Sequence, residues 1–539
     1  MESHYATLWE ALADTIGDRD AVVCGKQRRS WSDYEQRAAR LGAALADAGL
    51  KPDSKVGLYL YNSVEYLETQ FAAFKQRCVP VNINYRYLDD ELLYLLENSD
   101  AEALFFHSSL GDRVARVMER APRVKLWVQV DDGGDPVPGA VAYEDLIAGH
   151  DPARRITRKE DDVYMLYTGG TTGMPKGVMY DMGGMLQGFI GIGFPVLGLG
   201  LPGVDEIPAL AAKLWEEQGG TTSIPACPLM HGTGIWLGAM IPHLAGGRVA
   251  LLEGRSFDAH ELWDVYQRES ANQVVIVGDA FAKPMVRALT EAQEQGRPYD
   301  LSSGRFIISS GVMWTTEVKQ QLLDWHEWVL IDAIGSSEGS MGNQITTRGN
   351  VGKTARFAMS PTTRVFTEEG REVEPGSGEK GMVAAGGMVP RGYYKDETKS
   401  EATFKTVGGV RYAFPGDWAT VDADGTLVLL GRGSNCINTA GEKVYPEEVE
   451  EAVKEHPDVQ DCLVVGVEDE KFGQRVTGVA SPRPGAGLDP EALREFTRSR
   501  LAAYKVPKQL FVVDEVRRAP NGKADYPWAR EVVAERLGS

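Results

Sequence analysis

Cysteine is scarce in this chain, with only five in 539 residues. Cys24, Cys78, Cys227, Cys436 and Cys462 are scattered and odd in number, and no Cys-x-x-Cys pair occurs. That excludes a disulfide framework and a cysteine-built zinc site, and points to a reducing compartment. A basic block is lacking too. With a net charge of −20, neither nucleic acid nor an anionic membrane is the expected partner. The N-terminus, Met-Glu-Ser-His-Tyr, has neither the basic start nor the apolar core of a signal peptide, so a cytoplasmic protein is expected. Charge is missing altogether from Met182 to Val204, a stretch long enough to span a bilayer. Its eight glycines, with Pro195 and Pro202, argue instead for a buried helix and a glycine-rich turn, hence no stable membrane span. Within it, Gly198-Leu-Gly200-Leu-Pro-Gly203 matches a dinucleotide fingerprint, but Pro202 sits where a helix should already run. No dinucleotide site is expected there.

What is present is a concentrated anion-binding segment, Tyr167-Thr-Gly-Gly-Thr-Thr-Gly-Met-Pro-Lys-Gly-Val178. Its glycines let backbone N–H groups close on an anion; Thr168, Thr171 and Thr172 add hydroxyls, and Lys176 adds charge. The spacing is not Gly-x4-Gly-Lys-Ser/Thr, so the loop is of another kind than that of P-loop NTPases. Around it, helical and strand patterns alternate. Leu41 to Leu50 and Val64 to Gln76 read as helices; Val56 to Tyr61, Val79 to Ile83, Ala103 to Phe106, Val274 to Gly278 and Phe306 to Ser309 read as strands. This predicts an α/β sheet with helices on its faces. A turn-rich, strand-dense region from about Arg364 to Leu430 predicts a small β-subdomain. After Gly431-Arg-Gly-Ser-Asn435 the pattern predicts a separate α+β module. It has helices near 446–455 and 489–501, and strands at 461–467, 476–480 and 510–513.

The segment Thr168 to Lys176 resembles the signature loop of the adenylate-forming superfamily. Further segments run in that family's order: Pro228-Leu-Met-His-Gly-Thr-Gly234, Ile334-Gly-Ser-Ser-Glu338, Gly392-Tyr-Tyr-Lys-Asp-Glu-Thr398, Phe414-Pro-Gly-Asp417, Leu430-Gly-Arg432, Gly441 to Glu450, Tyr504-Lys-Val-Pro507 and Arg518 to Lys523. The resemblance implies a large N-terminal domain, 1–432, of two α/β lobes plus a small β-subdomain. It also implies a mobile C-terminal domain, 435–539, with a hinge at 433–434.

The resemblance also implies the chemistry. A carboxylate is a poor electrophile; joined to AMP it gains a good leaving group, and a thiol then takes the acyl group. Thr168, Gly169, Gly170, Thr171, Thr172, Gly173 and Lys176 would cradle phosphates. Glu338 would ligate Mg²⁺, and Ser337 would contact the α-phosphate. Gly311, Val312, Asp332, Ile334, Gly335 and Ser336 would border the nucleotide; Ile334 stands where the family has an aromatic, so adenine stacking is weaker or comes from elsewhere, with Val312 and Met313 bordering the base. Asp417 would hold the ribose, and Arg432 the ribose or a phosphate. Lys523 would bridge the acid and the α-phosphate, and Gly441 would leave room for pantetheine. His231, Gly232, Trp236, Gly278, Asp279 and Ser310 would line the acyl pocket.

The insert from Leu201 to Ser223, with Ile-Gly-Ser-Ser-Glu and Gly278-Asp-Ala280, is similar to actinobacterial acyl-CoA synthetases for steroid side chains and other bulky lipids. Glycines between Gly188 and Gly200 either make acyl volume or only let helices pack closely. The expected protein is an AMP-forming acyl-CoA synthetase of fatty-acid or steroid metabolism, using ATP, Mg²⁺ and coenzyme A. A homodimer is left open. The alternatives are an adenylating amide synthetase with an amine acceptor and a nucleotide-binding protein without catalysis.

Overall fold

The computed structural model describes residues 1–168, 174–439, 442–469, 473–501, 503–519 and 522–538, with the side chains of Ser434, Asn438, Glu442, Lys443 and Gly473 left aside. The chain divides into two compact units. The large one comprises Met1–Ser340, Ile345–Val351 and Gly386–Ala413; the small one comprises Met341–Gln344, Gly352–Ala385 and Phe414–Ser539. Gly386–Ala413 thus leaves the stretch expected to form one β-subdomain and joins the large unit. Compactness does not follow a boundary at 433–434, and that boundary is a matter of function taken up below.

In the large unit one sheet runs in the order Val329–Ser336, Phe306–Ser310, Gln273–Ile276, Thr222–Pro225, Arg248–Leu251, Asp20–Cys24, Gln27–Ser30. All neighbours are parallel except the final hairpin. These strands read as short apolar runs because both faces are covered, as parallel sheets require. Trp263, Tyr266, Phe281, Trp314 and Trp328 fill part of that core. A second parallel sheet is ordered Val79–Asn82, Lys55–Tyr59, Ala101–His107, Leu126–Val130, Val141–Ala142.

The helix Trp31–Asp47 shows how local sequence builds the layers. Ser30 and Asp33 form a reciprocal capping box, and Trp31, Tyr34, Ala38, Leu41 and Leu45 recur on one buried face. The cap starts the helix ten residues before the expected Leu41, because alanines carry the apolar stripe there. The uncharged stretch forms the helix Met182–Val196, then Gly198 and Gly200 turn with φ of 74° and 69°. No helix among the described residues is long and apolar enough to cross a membrane. No helix opens in the Gly198 to Gly203 fingerprint either, the next long one being Ile207–Gln218.

In the small unit, Arg364–Phe366, Gly381–Ala384, Asp417–Val421, Thr426–Arg432 and Arg356–Met359 form an antiparallel array. The later residues build Val459–Asp469 against Gly473–Pro482, with Gln509–Val512 parallel to the latter. Helices Pro446–Lys454, Pro490–Arg498 and Tyr526–Gly538 complete it; the last was not expected from the pattern.

Candidate active site

Four loops at the carboxyl ends of adjacent parallel strands gather most of the predicted residues. Val329–Ser336 leads into Ser337 and Glu338, and Phe306–Ser310 into Gly311 and Val312. Gln273–Ile276 leads into Gly278 and Asp279, and Thr222–Pro225 into the His231 segment. Open α/β sheets bind ligands in this position, where loops diverge from the strand ends.

The loop geometry has local causes. Gly311 takes φ of 95° and Gly278 φ of 54°. A Cβ on Gly278 would lie 2.4 Å from the Met313 carbonyl oxygen, so only glycine allows the two loops to meet. The Gly278 N–H donates to Ser309 Oγ at 2.8 Å. Asp279 is committed: its carboxylate accepts from the Thr315 N–H at 2.9 Å and hydroxyl at 3.0 Å. Asp332 is likewise buried against Lys319, 2.7 Å away. Both acids, expected to face ligand, have carboxylates engaged in fixing the scaffold; backbone and position are what they bring to the loops.

The anion loop closes an antiparallel hairpin between Val163–Thr168 and Lys176–Asp181, in which Thr168 pairs with Lys176. Gly169, Gly170, Thr171, Thr172 and Gly173 lie outside the described residues. Lys176 is half-buried and ion-paired with Asp396. Glu338 is half-buried, and its Oε1 accepts from the Tyr393 hydroxyl at 2.7 Å. Its own N–H donates to Ser336 Oγ at 3.1 Å, and Tyr180 donates to the Ser337 carbonyl at 2.9 Å. Ile334 and Gly335 are half-buried at the end of the same strand.

His231 and Gly232 precede an eight-residue π-helix, Thr233–Met240. Such wide turns are rare and concentrate at functional sites. Trp236 on it donates to the Tyr164 hydroxyl at 2.9 Å and lies 6.0 Å from the Tyr180 ring and 5.9 Å from Phe189. Of the helix glycines, Gly188 and Gly193 serve close packing: Cβ atoms there would lie 2.6 Å from Met388 Sδ and 2.5 Å from Ile241. Gly191 faces open space. A cleft of about 320 Å³ lies between Gly184, Met185 and Gly188 on one side and Gly387 to Val389 on the other.

Asn82 was not foreseen. Buried, it accepts from the Tyr167 N–H at 2.7 Å and donates to the carbonyls of Tyr167 at 2.8 Å and Met230 at 2.7 Å. One amide therefore ties the root of the anion loop to the His231 segment. The available signal was a polar residue in an apolar strand run, Val-Pro-Val-Asn.

In the small unit, Asp417 and Arg432 are cross-strand partners, with Nε and Oδ1 3.3 Å apart. Lys523 is exposed on a tight turn, in which the Gly522 N–H donates to Ala519 O at 2.7 Å and the Ala519 N–H to Lys523 O at 2.8 Å. Arg518, held by Asp461 at 2.5 Å, donates to the Gly522 carbonyl at 3.2 Å. Gly441 lies outside the described residues.

A strand-end site in a parallel sheet, with the hairpin that pairs Thr168 with Lys176, agrees with the arrangement expected of an adenylate-forming enzyme. Comparison agrees: the AMP-binding enzyme model matches residues 8–394, and the AMP-binding enzyme C-terminal domain matches 448–523. The chain is 42% identical over 543 residues to a 3-oxocholest-4-en-26-oate–CoA ligase of Rhodococcus rhodochrous, covering 98% of this chain and 96% of that one. It is 41% identical to a medium/long-chain-fatty-acid–CoA/3-oxocholest-4-en-26-oate–CoA ligase of Mycolicibacterium smegmatis, covering 99% and 97%. A solved anthranilate CoA ligase in complex with anthranoyl-AMP shares the fold, with a TM-score of 0.82 at 20% identity and full coverage of both chains. The chain belongs to the AMP-binding enzyme family, in its AMP-forming acyl-CoA ligase branch. Ligases of this family take ATP and coenzyme A as substrates.

Proposed function

We propose that this ligase activates a fatty or steroid side-chain carboxylate. The acid's oxygen attacks the α-phosphorus of ATP and breaks the bond to pyrophosphate. The coenzyme A sulfur, its thiol proton lost to solvent, then attacks the acyl carbon and releases AMP. The observation that carries this reading is the convergence of four loops at adjacent strand ends beside the Thr168–Lys176 hairpin.

Lys176 and the loop from Thr168 to Gly173 serve the phosphates, and Ser337 the α-phosphate. Gly311, Val312, Ile334, Gly335 and Ser336 border the base. Asp417 and Arg432 take the ribose, and Lys523 acts in adenylation. Gly441 serves the pantetheine arm, and residues beyond a hinge at 433–434 alternate between the two half-reactions. His231, Gly232, Trp236, Gly278 and Ser310 line the acyl pocket. The substrates named for relatives 41–42% identical support a steroid side-chain or medium- to long-chain acid, and favour coenzyme A over an amine as acceptor.

Glu338 suits Mg²⁺. It offers hard oxygen donors, and among the described residues no group of three or more His, Cys, Asp and Glu could hold a metal. A Mg²⁺ held by one carboxylate and the substrate's own phosphates fits that arrangement. When bound, it would neutralise charge on the phosphate oxygens. Five free cysteines support a cytoplasmic working place.

The test is pyrophosphate and thioester formation by the purified protein against short, long-chain, aromatic and steroid side-chain acids, with and without coenzyme A. AMP and acyl-CoA are expected with long-chain or steroid side-chain acids. Pyrophosphate without thioester would overturn coenzyme A as acceptor.

A further inference from the structure

The segment following Gly392 touches both Lys176 and Glu338, and no function above uses it. Its strand, Gly392–Tyr393, pairs antiparallel with the strand carrying Lys176, and the Tyr394 N–H donates to Gly177 O at 2.8 Å. A tight turn follows: Tyr393 and Asp396 form a β-bridge, and Lys395 takes φ of 55°. Asp396 Oδ1 caps the next helix by accepting from the Lys399 N–H at 3.0 Å, while Oδ2 meets Lys176. Tyr393 sends its hydroxyl to Glu338 Oε1, and its ring lies 6.0 Å from the Lys176 ammonium. Tyr394 anchors the turn elsewhere, donating to Asp100 Oδ2 at 2.8 Å.

We propose that Tyr393 is a positioning residue for Glu338: its hydroxyl orients the carboxylate for a divalent cation, and the Tyr393–Asp396 turn holds that carboxylate in register with Lys176. The proposal rests on the reading of Glu338 as a cation ligand. The physical case is that of outer-shell support. A lone glutamate side chain has several rotamers, and a single strong donor on one oxygen selects among them while leaving the second oxygen's lone pairs to a cation. The donor is itself held, because the Tyr393 N–H donates to Ser400 Oγ at 2.8 Å and its ring packs 5.3 Å from Phe404.

The test is Mn²⁺ binding followed by electron paramagnetic resonance, in the presence of α,β-methylene-ATP, for the full chain and three variants. Tyr393→Phe keeps the ring and removes the hydroxyl. It is expected to weaken Mn²⁺ binding about tenfold and to raise the Mg²⁺ concentration for half-maximal rate in step, with kcat at saturating Mg²⁺ changed less. Tyr394→Phe removes the Asp100 anchor alone and is expected to leave Mn²⁺ binding within about twofold. Glu338→Gln is expected to weaken it most. If Glu338→Gln weakens Mn²⁺ binding and Tyr393→Phe does not, or if Tyr394→Phe weakens it as much as Tyr393→Phe, the positioning role is overturned. If Glu338→Gln itself changes nothing, the reading of Glu338 falls, and the proposal with it.

Discussion

Both compact units bury titratable groups, and the histidines of the large unit shift in the opposite direction to an acid of the small one. The large unit encloses three neutral histidines. Burial pushes His4 down to about 3, and His107 and His243 down to about 4. Their contacts fit: Nδ1 of His4 accepts from the Ala6 N–H at 3.1 Å, and Nδ1 of His107 from the Tyr61 N–H at 3.1 Å. A protonated ring could not accept those bonds. The small unit encloses an acid, as the large unit does in Asp332, which burial also pushes up. Burial, then the neighbouring Glu447, pushes the Glu450 carboxyl up to about 8, against the opposing pull of Lys454 and Arg518. Its Oε1 accepts from the Val464 N–H at 2.9 Å.

The consequences have opposite signs. Below about 6.5 the unfolded large unit takes up protons its folded histidines refuse, so stability falls as pH drops toward 4. Between the ordinary 4.5 and about 8, folded Glu450 keeps a proton the unfolded chain has released, so the small unit loses stability as pH rises through that window. The same contrast marks the site residues. In the large unit Lys176 and Glu338 are held by side chains distant in sequence. In the small unit Asp417 and Arg432 hold each other across a hairpin, and Lys523 sits on a locally closed turn.

Breaking that contrast begins with the largest effect. Lys523→Ala is expected to cut adenylate formation by at least ~100-fold, while thioester formation from supplied acyl-AMP stays within a few-fold; equal loss in both half-reactions would refute a role confined to one step. Asn82→Leu comes next. It leaves the Tyr167 and Met230 carbonyls without their donor, so a loss of about 3 kcal/mol of large-unit stability and a drop in kcat/KM are expected, measured by denaturant unfolding and steady-state kinetics. An unchanged unfolding midpoint would remove Asn82 from the scaffold. Smallest is the pH effect: Glu450→Gln is expected to flatten the small unit's loss of stability between pH 6 and 8.5, a difference of ~2.5 kcal/mol. Hydrogen exchange read separately for the two units should show it in the small unit alone, and a parallel change in the large unit would sink the assignment.

Much of this was legible because glycine, hydroxyl and charge patterns act locally. The loop from Thr168 to Lys176 and the strands Gln273–Ile276 and Phe306–Ser310 were legible from short runs; the hairpin pairing of Thr168 with Lys176 and of Asp417 with Arg432, and the strand Val329–Ser336, came from the fold. Helix ends moved where a cap intervened, as at Ser30. The regrouping of Gly386–Ala413 escaped notice because strand propensity says nothing about which sheet a strand will join.

The amino-acid sequence by itself determined the family, the order of its segments and the chemical type of each candidate group, since these depend on residue identity and short spacing. Tertiary structure decided which groups remain available. Asp279 and Asp332 read as acids bordering the ligands, and the fold gives them the partners Thr315 and Lys319. Asn82 read as an ordinary strand residue, and Tyr393 only as part of a family segment, until the fold set them against Tyr167, Met230 and Glu338. A hydrogen bond between residues far apart in the chain forms only after the strands between them have packed, and no local pattern records it.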